Sequence, residues 1–203
     1  MLLPGLRSLL TDTDCSSCPF AKARRANAIE QSHDKYIDGV KFSTVSTDVC
    51  QIIRPFQPDR PEYFISFKCN TSGYVMIYPI TGKNAVYDAI KQYVHWVSTQ
   101  FGKVVKSFFC DQGTEYFNKN VLTFFNDSGI ELHYTSGYTP PANGVAERLN
   151  LTMLNDVRAM LIHAGLPSQS WPEAAQYSVL IRNHIYSSKL KQSPAVSLGI
   201  HSI

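Results

Sequence analysis

A mixed-sheet α/β domain is the fold class this sequence predicts, and three observations predict it. Two-residue alternation marks successive extended stretches between Val40 and Ile80, with short connections between them. Beyond them, helical and extended patterns alternate as far as Thr135, and two helical stretches follow. The 203 residues, 44% hydrophobic and 17% charged, suffice for one folded domain with a full core and exclude a disordered chain.

Residues 1–39 lack this patterning. They hold Cys15-Ser16-Ser17-Cys18 ahead of Lys22, Arg24 and Arg25, and read as a tail before a domain running from 40 to 203. Phe42, Val45 and Val49 then alternate with small polar residues, and Pro55, Pro58 and Pro61 make 51–61 a connection. Glu62–Cys69 and Gly73–Ile80 read as strands joined by Asn70-Thr71-Ser72, which completes an antiparallel meander. Over 84–101, Val86, Ile90, Tyr93, Val94 and Val97 recur at helical spacing, and Gly102 stands where a left-handed cap belongs. A strand over Val104–Cys110, a helix near Asn118–Asn126 ended by Gly129, and a strand over Glu131–Thr135 come next. Helices over Gly144–Ala164 and Pro172–Ser188, parted by Gly165-Leu166-Pro167, follow. In the first of these, Leu149, Met153, Val157, Met160 and Leu161 share a core-facing stripe. Trp96 and Trp171 are assigned to the core as well. The order β-β-β-α-β-α-β-α-α is that of the ribonuclease H-like fold, a mixed five-stranded sheet flanked by helices.

A net charge of +3 permits a polyanionic partner without demanding one. Five cysteines are an odd number in a chain too large to need disulfides, and three of them lie in strand-like stretches. A reducing compartment follows, so the expected location is nucleus and cytoplasm. The apolar opening Met1–Leu10 is interrupted by Pro4 and Arg7, and no stretch is long enough to span a bilayer; no membrane partner is expected.

Three acids carry the chemistry. Asp48 and Asp111 fall at the ends of expected strands, and Glu147 lies in the first turn of the helix opening at Gly144. Residues 112 to 146, thirty-five positions, separate the last two. Three carboxylates at two strand ends and a helix start are what a two-metal phosphoryl-transfer site requires. Each also has an ordinary reading: Asp48 as a strand cap, Asp111 with Gln112-Gly113 as a turn, Glu147 as a solvated first-turn acid. Gly137, Pro140, Pro141 and Gly144 give the stretch before Glu147 an irregular backbone, either a DNA-positioning loop or a plain connection.

The flanking words discriminate between these readings. TDVC (47–50), CDQGTEYFN (110–118) and NGVAERLN (143–150) resemble the integrase catalytic core of Ty/copia-type LTR retrotransposons. YFISF (63–67), TSGYTPPANGVAER (135–148) and GLPSQSWPEAAQYSVLIRN (165–183) extend the likeness over roughly 40–200. The resemblance implies that Asp48, Asp111 and Glu147 are a DDE triad holding two Mg²⁺ or Mn²⁺ ions. It implies DNA end processing by water, then strand transfer by the new 3′-hydroxyl, with element ends and target DNA as partners and a homo-oligomer as the working form. Asn143, Arg148 and Asn150 become candidate nucleic-acid contacts.

Some positions depart from the family pattern. Gln51-Ile52 replace Gly and Pro, Lys68 and Cys69 stand where acids follow F-I-S-F, and Pro141-Ala142 replace two glutamines. Leu151 stands where a basic residue is usual, which weakens the expected grip on DNA phosphates. Arg148, Arg158, Arg182, Lys189 and Lys191 read as scattered, solvated cations with some capacity for phosphate contact. His95, His133, His163 and His184 follow no ligand spacing.

Cys15 and Cys18 supply half of a tetrahedral zinc site. The family places a module with two histidines and two cysteines just before the core, yet no histidine precedes Cys15. The tail is therefore expected to be the remnant of a truncated zinc-binding module, holding Zn²⁺ only if the missing ligands are supplied. The chain is expected to be a polyprotein fragment or a truncated genomic copy. Against an active core stands a remnant without activity that only binds nucleic acid or self-associates. A ribonuclease H-like nuclease without transferase activity fits the G-V-A-E-R word less well.

Overall fold

The computed structural model describes residues 38–52, 60–134 and 144–200. Its centre is β1 (Thr44–Gln51), which pairs antiparallel with β2 (Tyr63–Cys69) on one side; β2 pairs antiparallel with β3 (Val75–Ile80). On its other side β1 pairs parallel with β4 (Ser107–Cys110), and β4 pairs parallel with β5 (Glu131–Tyr134). The sheet order is β3-β2-β1-β4-β5, the expected mixed five-stranded sheet.

Helices cover both faces. α1 (Val86–Phe101) ends at Gly102, whose φ of 58° only a residue without Cβ adopts cheaply, and its N–H donates to the Ser98 carbonyl. α2 (Lys119–Ser128) starts on Asn118, whose side chain accepts the Val121 N–H, and ends at left-handed Gly129. α3 (Gly144–Ala164) and α4 (Trp171–His184) pack against each other, and a short α5 (Pro194–Ser197) follows. Alternation along β2 divides the core. Ile65 and Phe67 face Ile90, Tyr93 and Val97 of α1, whereas Phe64 faces Leu149, Met153 and Val157 of α3 and Trp171 of α4.

Boundaries moved where backbone partners decided them. Phe42 was expected inside the first strand. It lies instead in the turn before β1 with a φ of 66°, its N–H directed at Cys69 Sγ. Val104 was expected to open the fourth strand; it is exposed, and pairing starts only where Lys106 and Ser107 both donate to the Ser43 carbonyl. α4 stops at His184, short of Ser188, because Ile185 is extended and Ser187 bridges to Gln192. Among the described residues no helix is long and apolar enough to cross a membrane.

Candidate functional site

The acids owe their positions to strand register. Thr44 lies opposite Ser107 and Ser46 opposite Phe109 in the parallel pair, so continuing that register brings Asp48 opposite Asp111. Parallel strands at this spacing put side chains of equal register on one face. That face is the one α3 covers, since Cys50, two residues after Asp48, packs into the cluster with Leu149 and Met153.

The word around Asp111 is a small machine for holding that strand end. Asp111 Oδ1 accepts the Gly113 N–H at 3.0 Å, closing an Asx turn. Thr114–Tyr116 form one 3₁₀ turn. Glu115, buried, accepts from Lys83 Nζ at 3.0 and 3.2 Å. Tyr116, wholly buried, places its hydroxyl 3.4 Å from Thr47 Oγ1, on the residue before Asp48. Asn118 both caps α2 and donates to the Glu115 carbonyl.

Glu147 is exposed in the first turn of α3, and Leu151, one turn on, is exposed beside it. Asn150 was expected among the nucleic-acid contacts. The structure turns it inward instead: it is 4% exposed, and its Nδ2 donates to Asp48 Oδ2 at 2.9 Å. Its Oδ1 is buried with no protein partner among the described residues. The signal was present in the sequence, because Ala146, Leu149, Asn150, Met153 and Val157 form one buried helical stripe. Arg148 is exposed, as a nucleic-acid contact would need. Asn143, the 135–143 loop, Cys15 and Cys18 lie outside the described residues.

Burial, then the charge of Asp111, then that of Glu147, push the Asp48 carboxyl up to about 7, against the Asn150 bond and a backbone bond that pull it down. Asp48 therefore feels both of the other acids. They are not closed up: among the described residues, no group of three His, Cys, Asp or Glu side chains stands at metal-holding spacing. Asp111 is engaged with its own loop, and Glu147 faces water. The three acids and the buried Asn150 Oδ1 offer oxygen donors here. Burial raises the Cys50 thiol to about 11 and the Cys110 thiol to about 12, so both remain neutral thiols and poor ligands. A hard cation of the Mg²⁺ or Mn²⁺ kind fits that donor set and would relieve the mutual repulsion, once Asp111 and Glu147 turn toward Asp48.

A sheet in this order, with helices on both faces, defines a ribonuclease H-like α/β domain. Over 197 residues, 96% of its length, the chain is 32% identical to the Transposon Ty1-ML2 Gag-Pol polyprotein of Saccharomyces cerevisiae. Over 192 residues, 93% of its length, it is 31% identical to the Transposon Ty1-LR3 Gag-Pol polyprotein of the same yeast. The chain spans 11% of each polyprotein. No family model matches it. These likenesses support a region of a Ty1/copia-type retrotransposon polyprotein.

Proposed function

We propose that this chain is the catalytic core of a retrotransposon integrase, a polynucleotidyl transferase that processes DNA ends and joins them to target DNA. One observation carries the reading: the β1–β4 register, continued past its last pair, sets Asp48 opposite Asp111 just beyond the end of β4, under the helix that bears Glu147. In this reading Asp48, Asp111 and Glu147 hold two Mg²⁺ or Mn²⁺ ions, which supply activation of the attacking oxygen and stabilisation of the leaving one. Asn150 fixes the Asp48 carboxylate through its amide, and the Asx turn presents Asp111 at the strand end. The substrates are element ends and target DNA, the working form is a multimer, and the location is nucleus and cytoplasm.

Metal-dependent nicking and strand transfer by the full chain test this. Asp111→Asn and Glu147→Gln should each lower the rate on the order of 100-fold or more. Equal rates in wild type and both variants end the reading. Calorimetric titration with Mn²⁺ should show weaker binding in Asp48→Asn.

A second reading, a chain that keeps the fold and binds nucleic acid without cutting it, is favoured by the open spacing of the three acids. It predicts DNA binding with no turnover in any metal.

A further inference from the structure

Glu115 belongs to the word that presents Asp111, yet the three-acid reading gives it no task. Its side chain is 4% exposed, and both carboxylate oxygens accept from Lys83 Nζ, at 3.0 and 3.2 Å. Lys83 stands 32 residues earlier, in the 3₁₀ turn Lys83–Ala85 that leads from β3 into α1. A buried ion pair is weak support for stability, because apolar side chains of like volume often serve as well. What it does supply is a fixed place, since a buried acid cannot leave its partner cheaply.

The place fixed here is the turn under Asp111. Glu115 and Asp111 Oδ1 crowd Gly113 so closely that no Cβ fits beside them. The Gly113 N–H donates to Asp111 Oδ1, and its carbonyl accepts the Tyr116 N–H at 3.1 Å. Hydrogen bonds thus run from Asp111 through Gly113 to the 3₁₀ turn that carries Glu115. Lys83 holds that turn from the start of α1, while Thr47 meets Tyr116 from β1. Lys83 also cancels the Glu115 charge, so Asp111 has no uncompensated acid at its back.

We propose that Lys83 and Glu115 are positioning residues for Asp111. Their ion pair fixes the backbone of the 111–116 turn, and so the place from which the Asp111 carboxylate reaches a divalent cation. This rests on the reading of Asp111 as a metal ligand.

The test uses the full chain and two readouts, amide hydrogen exchange without metal and calorimetric titration with Mn²⁺. The double variant Lys83→Met/Glu115→Gln removes the pair while leaving the net charge beside Asp111 unchanged. Its Gly113 and Tyr116 amides should speed up in exchange by more than those of β1 and β2. Its Mn²⁺ affinity should fall about tenfold. Lys83→Arg, which keeps the charge and can span both carboxylate oxygens, should match the wild type in both readouts. If the double variant does not fold, as judged by circular dichroism, Lys83→Met alone carries the exchange comparison, at a position about half exposed.

Gly113 exchange that rises no more than that of β1, with wild-type Mn²⁺ affinity, overturns the proposal and leaves the pair a strut for the fold alone. Faster Gly113 exchange with unchanged Mn²⁺ affinity overturns its link to the cation. Failure of the metal reading itself would show differently, as Mn²⁺ affinity undiminished in Asp111→Asn.

Discussion

Gly113 has no room for a side chain. A Cβ there would stand 2.7 Å from the Glu115 carboxyl carbon and 2.9 Å from Asp111 Oδ1. Both carboxylates are anchored, one by Lys83 and the other by the Gly113 N–H, so neither yields freely. Gly113→Ala is expected to cost about 1 kcal/mol, a melting shift of about 2–4 °C, and to weaken Mn²⁺ binding by displacing Asp111. Calorimetry of the metal-free and Mn²⁺-titrated variant checks both. Asp48 gives a pH signature. The unfolded chain releases this proton near 3.8 and the folded chain near 7, so the folded state binds more protons between those values. Stability of the metal-free protein should therefore fall as pH rises from about 4 to about 7, and Asp48→Asn should flatten that fall. Melting temperatures of wild type and variant across that range decide it; parallel profiles would refute the assignment. The acids were legible in the sequence because strand-end words surround them. The inward turn of Asn150 was legible only through the helical stripe it shares with Ala146, Leu149, Met153 and Val157.

Among the elements, those bounded by a cap were read almost to the residue. Gly102, Gly129 and the Gly144–Ala164 span stand where the sequence put them, because capping chemistry is local. The start of β4 was displaced because Ser43, remote in sequence, supplies the deciding backbone partner, and the end of α4 because Ser187, just past it, bridges to Gln192. The short α5, capped by the Ser193 side chain, is too brief for any periodicity. The junction between β4 and α2 depends on Lys83 reaching Glu115 from the turn before α1. Lys83 is about half exposed while the Glu115 carboxylate is buried, so Lys83→Ala leaves a buried acid only partly compensated by water. A loss of about 1–2 kcal/mol is expected, read by urea denaturation, with Lys83→Arg retaining most of it. Met153→Ala, at a position 1% exposed between α3 and the sheet, should cost about 2–5 kcal/mol. A cost below 1 kcal/mol would mean that α3 is not seated on the sheet as described.

At the scale of the whole molecule, one sheet separates two apolar clusters with different duties. The α1 side is closed and aromatic, with Phe67 stacked on Tyr93 at 4.4 Å between ring centroids. The α3 and α4 side mixes apolar packing with Asp48, Asn150 and Asn183. Pro- and Gly-rich words made that side harder to read, since they fix no period. The seam between β1 and β4 has a further effect. Asp48 and Asp111 come opposite one another only when strands more than sixty positions apart have zipped together. Pairings of such long reach form late in folding. A half-made polypeptide emerging from the ribosome would therefore hold its acids apart, and any power to cut nucleic acid would switch on only with the finished sheet.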